Sequence, residues 1–186
     1  MSRVQILLDA VAAMLSAAVT SDCKIFADVR VQLDPYDLED VTRESFRSPA
    51  ARVLFTVGKP IPKATGGLDL ECTVSIAIIS SRSGRADPTV ASADAKALDL
   101  ALMVSQLIAD DPYFGLGRMT AAQIEGFKVA VSEKANERGL AITLVMFKAT
   151  LLDVVIERPI IAAAAETGRN PWLPDQLAIN NGEVEP

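Results

Sequence analysis

A chain of 186 residues suits one domain with a full core, and because half of its residues are apolar but only 5% aromatic, that core is mostly Val, Ile, Leu and Ala. Eighteen basic residues against 24 acidic ones leave a net charge of −6, which argues against tight nucleic-acid binding, since non-specific affinity comes chiefly from Lys and Arg contacts to phosphate. Histidine is absent, which removes the usual general base, the usual activator of Ser and Cys, and the commonest transition-metal ligand, so the expectation of catalysis falls.

Two cysteines form no disulfide framework and fit a reducing cytoplasm. The mean hydropathy of +0.28 is high for a soluble monomer and favours further burial at subunit contacts. No run reaches the ~18 apolar residues of a membrane span. Gln5 and Asp9 interrupt the N-terminal stretch, which reads as a soluble helix rather than a signal peptide, and no membrane partner is expected.

Along the chain, Val4, Leu7, Leu8, Val11, Leu15 and Ala18 recur at helical spacing, with Ser2 as the cap. The period then changes: Ile25, Ala27, Val29, Val31 and Leu33 alternate with Asp28, Arg30 and Gln32, predicting a strand with one wet face. Asp34 and Pro35 stop it, and YDLEDVTRESFRSP is a polar excursion. Ala51, Val53, Phe55 and Val57 mark a second strand, followed by a breaker-rich loop, GKPIPKATGG. In the third, Leu68, Leu70, Cys72, Val74, Ile76 and Ile78 point one way while Asp69, Glu71, Thr73 and Ser75 point the other.

After the loop SSRSGRADP a helix begins near Pro88 and ends at Asp111 and Pro112. Its stripe of Leu98, Ala101, Leu102, Ser105 and Ile108, with a second of Leu100, Val104 and Leu107, predicts burial between the sheet and something else. A shorter strand covers Ile124 to Val131, and NERG, with Gly139 in positive φ, turns the chain into the last run.

That run, Leu140 to Ile156, has 17 residues without Gly or Pro. Straight, it would span ~56 Å, against a diameter of roughly 40 Å for a compact domain of this size. It must bend at a bulge, break, or project and pair with another copy. The element order predicts an α+β domain over residues 1–157, a largely antiparallel β-sheet packed by two main helices. Residues 158–186, with four prolines, an alanine run and the sole tryptophan, read as an extended C-terminal arm.

Asp69 and Glu71, two carboxylates on one strand face, are the sharpest catalytic suggestion, a divalent-metal site for phosphodiester cleavage. Restriction-type nucleases use an Asp and a Glu-x-Lys there, but Thr73 stands where the lysine belongs, so a solvated strand face is the better reading. Asp37, Glu39 and Asp40, with Asp34, lack calcium-loop spacing and read as a solvated or partner-facing turn. Gly115 and Gly117 lack the third glycine and the βαβ context of a dinucleotide fingerprint. Cys72 is a small core residue and Cys23 has no partner that would make it a nucleophile. Arg82 and Arg85 sit on a Gly/Ser loop able to touch phosphate or an acidic neighbour. Trp172 and Leu173, between two prolines, form the apolar anchor of the arm, for a partner or for its own domain.

The helix, the alternating strand, the acidic DPYDLED excursion, the SPAARVLF and DLECTVSIAIIS strands, the long Ala/Leu helix and the final hairpin together resemble the tail-terminator or tail-completion proteins of contractile-tailed, Mu-like phages and prophages. The resemblance covers roughly residues 1–157. It implies a hexameric ring that caps the tail tube, stops its polymerisation and meets the neck or head-tail connector. The implied partners are further copies of the chain, the tail tube and sheath proteins, and DNA passing through the lumen without specific binding. The implied location is the tail-neck region of the virion, after assembly in the bacterial host cytoplasm, with no cofactor and no enzymatic activity. The competing expectations are another neck or tail-tube subunit and, in a different class, a metal-dependent nuclease using Asp69 and Glu71.

Overall fold

The computed structural model describes residues 2–21, 23–32, 47–64, 67–81, 93–130 and 140–154. The first element is helix α1, Arg3–Ala17, and Ser2 caps it as expected, its Oγ accepting from the Gln5 N–H at 3.1 Å. Leu7, Leu8, Val11 and Leu15 form its buried face. Two short antiparallel strands follow that the sequence did not announce, β1 (Val19–Thr20) and β2 (Cys23–Lys24), both exposed.

The strand expected from Ile25 begins three residues later, as β3, Asp28–Gln32. The N–H groups before it are spoken for elsewhere: Ile25 donates to the Ala18 carbonyl at 3.0 Å and Ala27 to that of Pro49 at 2.8 Å. Next come β4 (Ala50–Pro62) and β5 (Leu68–Ser81), so the first half of the expected GKPIPKATGG loop is strand. Pro60 and Pro62 lie opposite Leu70 and Leu68, two positions apart and hence on the same side of the ladder. They are tolerated because, among the described residues, β3 pairs with β4 only as far as Leu54 and the rest of β4 has β5 as its one neighbour. A bulge between Phe55 and Val57 shifts the register. Val57, expected to share a face with Ala51, Val53 and Phe55, therefore crosses to the other face and is 54% exposed.

Helix α2 (Ala93–Asp110), β6 (Gln123–Ala130) and β7 (Leu140–Leu151) complete the described elements. The main sheet has the order β3-β4-β5-β7-β6; β3 and β4 are parallel and every other pair antiparallel. This is the expected α+β fold with a largely antiparallel sheet and two helices. Both helices lie on one face, α1 over β3 and β4, α2 over β5, β6 and β7. Between helices and sheet lie Ala51 and Val53 of β4, Cys72, Val74, Ile76 and Ile78 of β5, and Val145, Phe147, Ala149 and Leu151 of β7. Each large side chain of this kind contributes about 1.5–3 kcal/mol by burial alone. The Phe147 ring also packs on Phe114 of the α2–β6 connection, centroids 5.3 Å apart.

α2 is less buried than its stripes predict. Ala97, Leu100, Ala101, Val104 and Ile108 face the sheet, but Leu102 and Met103 are 57% and 41% exposed. The last run resolves the length problem by breaking. All of β7 from Leu140 to Leu151 pairs with β5, so nothing in it projects beyond the sheet. The chain then turns through Leu152 and Asp153, the latter at φ +52°. The acidic excursion with Asp37, Glu39 and Asp40, the loop with Arg82 and Arg85, the helix start at Pro88, the NERG turn, and the arm with Trp172 and Leu173 lie outside the described residues.

Candidate functional site

Asp69 and Glu71 lie on the side of β5 away from α1 and α2, in the outward phase that the alternation assigns them. Asp69 is not simply solvated: its side chain is 13% exposed, and Oδ1 accepts from Lys63 Nζ at 2.8 Å and from the Asp153 N–H at 2.7 Å. Lys63 Nζ also donates to Asp153 Oδ1 at 2.5 Å. The Lys63 ammonium, with help from the Asp153 N–H, holds the Asp69 carboxyl below the ordinary carboxylate range. The bonds to Asp153 and Asp69 in turn raise Lys63 above its usual value. Leu68 adds a backbone bond, its carbonyl accepting from the Val154 N–H at 2.7 Å. These contacts fix the point where the chain leaves the sheet.

Glu71 takes a different environment. Across the sheet Lys148 Nζ meets Glu125 Oε1 at 2.5 Å, and its ammonium is raised mainly by that bond, with a small further contribution from Glu71. Of the two carboxylates of the nuclease reading, Asp69 is ion-paired with Lys63, while Lys148, the lysine that feels Glu71, is bonded to Glu125. Among the described residues no group of three or more His, Cys, Asp or Glu side chains is placed to hold a metal.

Cys72 is fully buried in the core, as its strand phase predicts, and burial pushes its thiol up to about 11, which leaves it un-ionised and unreactive at neutral pH. Cys23 is exposed. Gly115, at φ +67°, belongs to the turn that ends α2; no helix starts after it, so the dinucleotide geometry is absent there.

Two arginines carry structure that the sequence reading missed. Arg3 donates to the carbonyl oxygens of Leu152 at 2.5 Å and of Gly117 and Arg118, both at 3.1 Å, tying the start of α1 to the end of β7. Its acceptors are main-chain oxygens more than 100 positions away, which no local pattern can signal. Arg52 is fully buried and donates to Asp28 Oδ2 at 2.9 Å and to the Ala51 carbonyl at 3.1 Å. Strand alternation puts Arg52 on the outward face, but that face is itself buried here, with Ala50, Ala77, Ile79 and Ile142 no more than 2% exposed. Asp28 in the neighbouring strand was the one available signal.

The surface best suited to a partner is the outer edge of β6. β6 pairs with β7 on one side and has no neighbour on the other among the described residues. Ile124, Phe127 and Val129 pair with Phe147, Val145 and Thr143, which sets all three on the helix side of the sheet, yet they are 40–45% exposed. α2 does not reach far enough to cover them. An open ladder edge beside apolar side chains is a template for another strand.

No protein-family model and no curated protein matches the sequence. Among solved structures, a chain described as "Virion of native gene transfer agent (GTA) particle" is similar with a TM-score of 0.48 and 18% identity, over 78% of this chain and 93% of that one. A likeness of that depth argues neither fold nor function.

Proposed function

We propose that this chain is a structural protein of a phage-like virion, a tail terminator that caps the tail tube as a closed homo-oligomeric ring, six-membered by the family resemblance, and joins the tail to the neck. It has no enzymatic role and needs no cofactor. The observation that carries the reading is the β6 edge: a ladder edge with no neighbour among the described residues, flanked by Ile124, Phe127 and Val129, suits a protein completed by assembly. Head-to-tail contacts of one kind generate rings when the rotation closes. The acidic net charge of −6 suits a lumen through which DNA slides without sticking. In this reading the ring meets tail tube and sheath proteins on one side and the connector on the other. Residues 158–186 form an arm that docks on a partner through Trp172 and Leu173, with Arg82, Arg85, Asp37, Glu39 and Asp40 as further contacts.

Light scattering of the isolated protein at tens of micromolar, together with electron microscopy of tails assembled with and without it, tests the proposal. A ring in solution and tails of uncontrolled length in its absence are expected. A strict monomer in both settings overturns it. Magnesium- or manganese-dependent DNA cleavage abolished by Asp69→Asn with Glu71→Gln replaces it with the nuclease.

A further inference from the structure

We infer that the ring contact is a continuation of the sheet, in which β6 of one copy pairs antiparallel with β3 of the next, Phe127 opposite Val29 and Lys128 opposite Asp28. The inference rests on the homo-oligomer reading above and names its surface.

Strand polarity comes first. β3 is parallel to β4, and each step from β4 through β5 and β7 to β6 reverses direction, so the two edge strands run opposite ways. A second copy placed with its helices on the same side thus presents β3 to β6 in the antiparallel sense, the commoner pairing. Side-chain phase agrees. On β6, Phe127 and Val129 face the helix side and Lys128 the other. On β3, Val29 and Val31 face the helix side, packed against the core, while Asp28 and Arg30 face the other. Joining the two edges lays exposed apolar side chains beside a half-buried valine pair, so the helix-side core runs on across the contact.

Charge selects the register. The pleat allows only shifts of two residues. One such shift sets Lys128 opposite Arg30; the register proposed sets it opposite Asp28 and leaves Gly126 opposite Arg30, where the missing side chain gives the guanidinium room. Lys128 is exposed and belongs to none of the ion pairs of the described residues, whereas Asp28 already accepts from Arg30 at 3.1 Å and Arg52 at 2.9 Å. Like charges directly opposite are destabilising and opposite ones favourable. The sequence also treats its edges differently. The overhanging edge of β4 carries Lys59, Pro60 and Pro62, which obstruct strand addition, whereas β6 contains no proline.

The test is a disulfide between copies, made with Phe127→Cys and Val29→Cys in one chain carrying Cys23→Ser; Cys72 is buried and stays. Within a chain the two positions sit at opposite edges of the sheet, about 19 Å apart at strand spacing, beyond the ~4.4–6.8 Å that a disulfide spans. Oxidation is expected to give a non-reducing gel ladder that climbs to the ring size and collapses with reductant, while either single cysteine variant stops at dimers. Phe127→Glu and Lys128→Glu, made separately in the native background, are expected to move mass from oligomer to monomer with unchanged circular dichroism. Oligomers by light scattering with no ladder, and with the same mass in Phe127→Glu, overturn the inference and leave the ring reading standing. A ladder that ends at dimers for the double variant assigns a twofold contact and overturns it too. A native chain that is monomeric at every concentration removes both.

Discussion

Asp69 and Asp153, 84 positions apart, meet where the chain leaves the sheet: the Asp153 N–H donates to Asp69 Oδ1 at 2.7 Å, and Lys63 sits on both carboxylates. The first prediction concerns this knot. Asp69→Asn is expected to lower the melting temperature at neutral pH, and Glu71→Gln to leave it nearly unchanged, measured by calorimetry. The folded state depresses the Asp69 pKa, so its stabilisation is present above the unfolded carboxylate value of ~3.9 and disappears as pH falls through the lower folded value. The gap between native chain and Asp69→Asn is expected to close in that acid window. Lys63 runs the other way: its contribution holds below ~10.4 and is lost as pH rises through its raised folded value. Equal effects of the two substitutions at neutral pH refute the assignment.

Phe147→Ala removes a fully buried ring that packs on Phe114 at the centre of the helix-side core. A loss of about 3–5 kcal/mol is expected in urea unfolding, whereas Phe127→Ala on the exposed edge is expected to cost less than ~1 kcal/mol to the isolated subunit. Comparable losses at the two positions contradict the burial pattern.

Asp28→Ala takes an acceptor from the buried guanidinium of Arg52, and a loss of about 1–3 kcal/mol is expected. Combined with Arg52→Met it is expected to cost less than the sum of the single changes, because the charge is removed along with its partner. Additive losses in a double-mutant cycle show that the two side chains are not coupled.

Truncation after Arg158 is expected to leave the described unit folded, since all of its strands and helices among the described residues lie before it. If the arm docks on a neighbour, the truncated chain closes rings or attaches to tail or neck less well. Infectious particles formed as readily by the truncated chain show the arm to be dispensable.

The acidic net charge leads to a last expectation: the purified protein is expected to bind duplex DNA only weakly at physiological ionic strength, in filter-binding or polarisation assays. Tight binding that weakens steeply with added salt contradicts a lumen built to let DNA pass.

Local periodicity determined a good part of this molecule. The cap at Ser2, the buried stripe of α1, the alternating phase of Leu70 to Ile78, the burial of Cys72 and the α+β order of elements all follow from side chains whose neighbours are a few positions away. What only the tertiary structure decided depends on distant partners. Pro60 and Pro62 fit a strand because, among the described residues, β3 pairs with β4 no further than Leu54 and leaves them on an edge; Val57 changes face because a bulge intervenes; β7 ends at Leu151 because Asp69 and Lys63 hold the turn after it. Likewise, Arg52 is buried because this end of the sheet is covered on both faces, and Phe127 is exposed because α2 sits mainly over β7 and β5 and only touches β6. A hydrophobic pattern specifies which side chains seek burial, but which of them obtain it is fixed by the neighbours that the folded chain supplies.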